Sequence, residues 1–191
     1  NSTFSEVWWF YPSASSNEND RYVVFNYVEN TWAVGTLTRT AWQDRGLFNA
    51  PIAASTDGYL YNHETGQNDG STNPPSAITS YIESSQISIG SGDDFVFLTK
   101  LIPDLTFENS ISTAPTVDFT LQARNFPGGA YLQTDTSGVT QSATTPVEQF
   151  TELAWIRLRG RSFAVKVESD TTDTQWRLGT PRVEIRPDGR R

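Results

Sequence analysis

The sequence predicts an all-β protein in two parts: a propeller-blade-like segment of antiparallel strands over residues 1–73, then a β-sandwich-like segment over residues 74–191. Aromatic and β-branched side chains, which favour strands, recur in short runs along the chain. Turn-forming Gly, Pro, Asn and Asp residues separate those runs. Apolar positions also alternate with a period of two, and no segment sustains the 3.6-residue period of a helix.

The first part opens with strand signals that predict a hairpin. Residues 7–11 (VWWFY) form an aromatic run that a proline ends, because proline cannot donate to a sheet ladder. Residues 21–27 and 32–37 are predicted strands, joined by a polar turn at residues 29–31. A similar aromatic strand and Glu-containing turn recurs at residues 58–66. The spacing of about 35 residues is near the length of one propeller blade, so it indicates a weak repeat.

The second part follows a run of turn-forming residues, 68–75, which contains two consecutive prolines and predicts a linker. Beyond it, Val117, Phe119 and Leu121 alternate with polar residues and are predicted to face a core. The other predicted elements are strands at residues 80–89, 95–102, 154–159, 163–168, 176–179 and 182–186, a mobile loop at 133–146 and a short helix near 147–153.

Charge is unevenly distributed around a net value of −8. Residues 1–150 contain five basic side chains against sixteen acidic ones, whereas residues 151–191 contain nine basic against six acidic. An acidic body repels duplex DNA at long range, which disfavours sequence-specific nucleic-acid binding. The opposite signs of the two regions could instead pair neighbouring copies of the chain.

The sequence carries no strong catalytic, metal or cofactor motif. It has no cysteine and a single histidine, His63, which we expect to be a solvated turn residue. Asp93 and Asp94 lie in a Gly-Ser-Gly turn, where local hydrogen bonding explains them better than catalysis or a loosely held cation. Neither a zinc ligand set nor a glycine-rich phosphate loop is present, so we expect no metal and no cofactor.

The aromatic run contains four consecutive rings, from Trp8 to Tyr11. Alternate rings of a strand face opposite sides of its sheet. A strand buried on both faces would explain this run without a ligand, and we favour that interpretation. A surface on which sugars or bases stack is the alternative.

The basic C-terminal region spaces its arginines at strand period. Arg157, Arg159 and Arg161 are predicted to line one strand face, and Arg182 and Arg186 another, with Glu184 between the last two. One interpretation is salt bridging on a solvated surface, which contributes under about 1 kcal/mol for each pair. The other is a subunit interface, because the arginine fork pairs carboxylates bidentately. These five arginines are the candidate interface residues.

Two stretches of the chain resemble phage structural proteins. The first combines residues 6–12 (EVWWFYP), 18–27 (ENDRYVVFNY) and Thr31-Trp32. The second combines residues 159–161 (RGR), 176–179 (WRLG) and 182–191 (RVEIRPDGRR). Together they resemble the tail nozzle family of short-tailed bacteriophages, also called tail tubular protein B or DNA-stabilisation protein.

This resemblance implies an irregular β-propeller with added β-domains and a structural role in the virion tail. Members of that family form a hexameric ring below the portal and adaptor, and DNA is ejected through its channel. Adaptor and fibre proteins would be neighbours, and duplex DNA would pass without sequence-specific binding. The resemblance implies no catalytic residue, and the short apolar runs of the sequence predict no membrane span. Because the family's chains are longer, we expect this chain to correspond to a C-terminal fragment.

Two rival functions make distinct structural predictions. A carbohydrate-binding module that contacts a host surface predicts exposed Trp or Tyr side chains on one face. A polysaccharide-cleaving enzyme predicts two facing carboxylates about 5–10 Å apart, one of them with a raised pKa.

Overall fold

The computed structural model describes residues 1–126 and 141–189, and 49% of the chain is in strands. The described residues contain no helix, so the all-β prediction is confirmed. The chain divides into two compact units, Asn1–Gly66 and Gln67–Arg191. The finer prediction, a blade-like segment to residue 73 and a sandwich-like segment after it, stays a prediction.

Unit 1 (Asn1–Gly66) contains two antiparallel sheets, ordered β1-β2-β3 and β4-β5-β6. Its strands are β1 (Glu6–Tyr11), β2 (Arg21–Asn26), β3 (Thr31–Thr36), β4 (Ala41–Gln43), β5 (Ile52–Ala54) and β6 (Leu60–Asn62). Strands β2 and β3 form the hairpin predicted around residues 29–31. Strand β6 pairs with β5, which precedes it, so the second pattern at residues 58–66 does not form a hairpin of the predicted kind.

The inner face of the first sheet packs as an aromatic layer. The ring of Trp8 lies 4.6 Å from that of Tyr22 and 5.5 Å from that of Trp42, measured between centroids. A Cβ atom on Gly35 would overlap the Tyr22 ring, so close packing requires a glycine there. On the opposite face, Trp9 is 48% exposed. The prediction that this strand is buried on both faces is therefore wrong.

Unit 2 (Gln67–Arg191) is built on two larger antiparallel sheets, ordered β15-β11-β18 and β10-β16-β13-β14, with β9 also paired to β16. The strands of unit 2 are β7 (Asn68–Asp69), β8 (Ser76–Ala77), β9 (Ser80–Glu83), β10 (Ile87–Ser88), β11 (Val96–Ile102), β12 (Leu105–Thr106), β13 (Thr116–Arg124), β14 (Ser142–Glu148), β15 (Ala154–Gly160), β16 (Ser162–Ser169), β17 (Arg177–Leu178) and β18 (Arg182–Pro187). Two short pairs, β7-β8 and β12-β17, complete the unit.

Both larger sheets contribute to one buried apolar cluster. Val117, Phe119 and Leu121 face it from β13, as the alternating pattern predicts. Ile156 and Leu158 face it from β15 of the other sheet, so their neighbours Arg157 and Arg159 point away from it. The two sheets therefore bury one face each and leave one face each directed outward.

The chain passes from one large sheet to the other at Gly160. A Cβ atom there would lie 2.8 Å from the Cβ of Ala123 and 3.1 Å from the carbonyl oxygen of Arg124. The next residue, Arg161, donates its backbone N–H to that same carbonyl at 2.9 Å. This close approach fixes where the strand of arginines ends.

Two segments of unit 2 differ from their predictions. One predicted linker contains paired strands, and one predicted strand is interrupted. Residues 68–75 are not a linker, since β7 pairs with β8 across them. The predicted strand at 80–89 is two strands, and between them the Ser84 hydroxyl accepts the N–H of Val165 at 3.0 Å. A side-chain oxygen thus replaces a backbone partner at that point of the ladder.

The predicted loop and helix after residue 132 are also corrected. Residues 142–146 belong to β14, whereas residues 133–140 of the predicted loop lie outside the described residues. The helix near 147–153 is wrong, because Val147 and Glu148 end β14 and a turn follows, with the N–H of Thr151 donating to the Glu148 carbonyl at 3.0 Å. Within residues 1–126 and 141–189, no helix is long and apolar enough to cross a membrane.

Candidate assembly surface

The outward side of the β15-β11-β18 sheet carries most of the predicted interface arginines. Strand register places Phe97 between Arg159 and Arg186, and places Lys100 between Trp155 and Glu184. We name this surface the cationic face and define it by Lys100, Arg157, Arg159, Arg182, Arg186 and Glu184.

Four of the five predicted arginines project from strands of this sheet, and the fifth follows the end of a strand. Arg157 and Arg159 project from β15, and Arg182 and Arg186 from β18, with β11 between the two strands. Arg161 follows Gly160 and lies beyond the end of β15. The expectation that Arg161 continues the same strand face is therefore wrong, while the role of all five residues at an interface stays a prediction.

Arg159 and Arg161 nevertheless meet at one aromatic ring. Their guanidinium carbons lie 3.9 Å and 4.6 Å from the centroid of Phe95, which is buried beneath them. The backbone of Phe95 is held by the Asp188 N–H at 2.8 Å, and the Asp188 carboxylate pairs with Arg159. These contacts fix Arg159 and Arg161 in place, so both residues have a structural role.

Glu184 organises the centre of the cationic face. Its carboxylate lies 2.8 Å from the Lys100 ammonium and 3.0 Å from the Arg186 guanidinium. Hydrogen bonding from Lys100, and then from Arg186, lowers the pKa of Glu184 below its usual value. This is the salt bridging that the sequence predicts around Glu184, and it leaves the face with excess positive charge.

Two arginines on this face form no ion pair with the part of the chain that the structure describes. Both Arg157 and Arg182 are exposed, and neither has a hydrogen-bonding or ionic partner among the residues that the structure describes. Arg182 also borders a cavity of about 220 Å³, which is lined by Lys100, Ile102, Leu153, Arg182, Val183 and Glu184. The exposed guanidinium of Arg182 beside this cavity suits a carboxylate on a partner surface.

Three contributors to this surface were missed from the sequence. Lys100 and Phe97 join it only through strand register, whereas Trp155, which is 72% exposed, shares the outward face of β15 with Arg157 by alternation alone. The register shifts between Leu98 and Lys100, which turns Lys100 to the same side as Phe97. Alternation along residues 95–102 does not reveal such a bulge.

A second exposed surface lies on unit 1. Trp9 and Trp32, 48% and 64% exposed, project from the outer face of the β1-β2-β3 sheet with centroids 5.9 Å apart. Phe25 lies beside Trp32 at 4.5 Å. This is the exposed aromatic face that the carbohydrate-binding rival predicts.

His63 is not the solvated turn residue that we expected. Its Nε2 accepts a hydrogen bond from Arg39 Nε at 2.9 Å, and its ring lies 4.6 Å from that of Trp42. Arg39 is only 9% exposed, and its guanidinium lies over the Tyr61 ring at 4.5 Å. Burial, and secondly the charge of Arg39, lowers the pKa of His63 to about 4.

This environment predicts that unit 1 loses stability in mild acid. The folded chain binds a proton on His63 more weakly than the unfolded chain does. The contribution of neutral His63 to the free energy of unfolding is therefore complete above a pH of about 6.5 and is lost as the pH falls to about 4. Because solvent screens the half-buried ring, we expect this loss in the free energy of unfolding to be about 1–2 kcal/mol.

His63→Gln is the matched control, because the glutamine carbonyl still accepts from Arg39 but does not titrate. Urea unfolding at pH 7.5 and 4.5 should show a larger loss for the parent chain than for His63→Gln. An equal loss in both proteins would contradict the assignment.

Glu6 and Glu64 in unit 1 meet part of the enzyme prediction, because they lie near each other and the pKa of one of them is raised. The Asn1 amide nitrogen lies 3.4 Å from Glu6 Oε2 and 2.9 Å from Glu64 Oε1. Partial burial, and secondly the charge of Glu6, raises the pKa of Glu64. Glu6 also accepts the Trp8 indole N–H at 2.8 Å, so this carboxylate is engaged in the inner packing of the sheet.

The other candidate chemical groups form no ligand set. Asp93 and Asp94 lie in the irregular segment between β10 and β11. Among the described residues, no group of three or more His, Cys, Asp or Glu side chains is arranged to hold a metal ion. Neither protein-family profiles nor curated protein sequences give a match to this chain.

Proposed function

We propose that this protein is a structural component of a bacteriophage virion tail, and that its copies form a closed ring around the channel through which DNA is ejected. The observation that carries the proposal is the cationic face, which borders a cavity lined by apolar and charged side chains and bears two exposed arginines with no partner among the described residues. A surface of this kind suits association through complementary charge.

The architecture supports the same proposal. In unit 2, two sheets share one core, which suits the sandwich-like domain that the sequence predicts. In unit 1, the β1-β2-β3 meander suits a propeller-blade-like segment, although one blade alone leaves Trp9 and Trp32 exposed. Small strand layers of this kind bury their remaining faces by stacking on further copies or blades.

The net charge suits a channel that releases DNA. With a formal charge of −8, the chain repels a polyanion at long range, so DNA would pass without being held by phosphate contacts. Adaptor and fibre proteins of the tail would be the neighbouring proteins, and the virion tail the location.

Sedimentation of the purified chain tests the proposal. We expect a discrete oligomer at low salt that weakens when ionic strength rises to about 0.5 M, because exposed charges are then screened beyond a few ångströms. A single monomeric species at every salt and protein concentration would contradict it. The tail nozzle resemblance predicts a hexamer as the closed form.

A second candidate function is carbohydrate binding by unit 1, which the stacked and exposed pair Trp9 and Trp32 favours. A glycan array tests it, with Trp9→Ala and Trp32→Ala as the variants that would lose the signal. Polysaccharide cleavage is less well supported. Glu6 lies on the opposite face of the sheet from these two rings, so a sugar stacked on them would be remote from the carboxylate pair.

A further inference from the structure

The other large sheet of unit 2 presents an outward face of the opposite charge. We name it the acidic face and define it by Glu83, Asp118, Glu148, Glu168 and Lys166. Strand register places Asp118 beside Glu168, and Lys166 beside Glu83. Glu148 is opposite Thr116 on the edge strand β14, and so projects to the same side as Asp118.

The positive side chains on the acidic face compensate only part of its negative charge. Lys166 pairs with Glu168 and lies 5.3 Å from the Tyr81 ring, and hydrogen bonding to Glu168 raises the pKa of Lys166. Arg124 stands at the far end of β13, where it donates to the Gln86 side chain at 2.9 Å. The acidic face therefore has an excess of carboxylates, as the cationic face has an excess of cations.

Asp118 is the clearest case of uncompensated negative charge on the acidic face. It faces the like charge of Glu168 across the ladder, an arrangement that destabilises a sheet. Its carboxylate has no hydrogen bond or ion pair to any residue within the described ranges. Apposed cations from outside would relieve this repulsion.

The two faces point in opposite directions, because each sheet of unit 2 buries its other side in the shared core. We infer that the cationic face of one copy binds the acidic face of the next copy. Such a contact joins two different surfaces head to tail, and it closes into a ring when the rotation between copies allows. The inference rests on the proposed function and names the partner surface for it.

Charges that have no partner within residues 1–126 and 141–189 occur on both sides of this contact. Arg157 and Arg182 offer guanidinium groups on one face, and Asp118 and Glu148 offer carboxylates on the other. The apolar components also correspond, since exposed Trp155 and Ile102 accompany the arginines, and exposed Tyr81 and Pro146 accompany the acids. Ion pairs formed here would be shielded from water at the centre of the contact.

Reciprocal charge reversal tests the inference on the full chain. Arg157→Glu with Arg182→Glu removes the excess positive charge of the cationic face, and Asp118→Lys with Glu148→Lys gives the acidic face an excess of positive charge. We expect each double variant alone to self-associate at least about tenfold more weakly than the parent chain. An equimolar mixture of the two should recover assembly, because the introduced glutamates of one variant then meet the introduced lysines of the other.

Arg45→Glu with Arg177→Glu is the matched control for the arginine variant, since it changes the net charge by the same amount and both residues lie outside the two faces. It should assemble like the parent chain. Circular dichroism and urea unfolding verify that each variant is folded.

The outcomes separate the inference from the proposed function. A parent chain that stays monomeric would overturn both. A parent chain that assembles, with variants that assemble equally well or a mixture that does not recover, would overturn the inference and leave the proposed function standing.

Discussion

Phe119→Ala is expected to destabilise unit 2 by about 3–5 kcal/mol, the range found when a buried aromatic ring is removed from a core. Phe119 is fully buried on β13, the strand that lies between β16 and β14. Both large sheets share the core it fills, so the surrounding strands have little freedom to collapse into the space. Urea unfolding followed by circular dichroism measures the loss.

Phe150→Ala is the matched control, with the same chemical change in the same unit. Phe150 is 87% exposed in the turn after β14, so its removal should change stability by less than about 0.5 kcal/mol. Similar losses for the two variants would mean that the core is not organised around β13.

Trp8→Ala is expected to have the second largest effect, about 2–4 kcal/mol within unit 1. Its ring contacts Tyr22 and Trp42, and its indole N–H donates to Glu6 at 2.8 Å. Removal would open a gap in the aromatic layer and leave the Glu6 carboxylate short of a donor. Amide hydrogen exchange across β1, β2 and β3 reports this local loss.

The adjacent residue provides the control for that variant. Trp9 projects from the other face of β1, so Trp9→Ala removes the same side chain from a solvent-exposed site. Protection of the β1–β3 amides should fall much less for Trp9→Ala than for Trp8→Ala. Equal loss of protection for the two variants would contradict the assignment of Trp8 to a packed inner face and Trp9 to an exposed outer face.

Strands in which apolar and polar residues alternate strictly could be predicted from the sequence. Strands that depend mainly on hydrogen bonds from a neighbouring strand could not. Val117, Phe119 and Leu121 mark β13 by period alone, and the period of Arg157 and Arg159 places them outward on β15. Strand β14 (SATTPVE) has the composition of a loop, and it becomes a strand because β13 supplies its hydrogen bonds. Such tertiary context overrides local propensity.

The candidate surface was predictable only in part, for a related reason. Sequence spacing identifies the arginines, but strand order decides that β15 and β18 flank β11 and so combine their charges on one face. The end of β15 at Gly160, which leaves Arg161 beyond the strand, depends on close packing against Ala123. The acidic face likewise depends on the register that aligns Asp118 with Glu168.

Electron cryomicroscopy of the assembly formed by the purified chain tests most directly whether this protein is built to associate with its own copies. We predict a closed ring with rotational symmetry, in which the strand bearing Arg157 of each copy faces the strand bearing Asp118 of the next. Isolated single copies, or pairs related by a two-fold axis that join the same face to itself, would contradict this account.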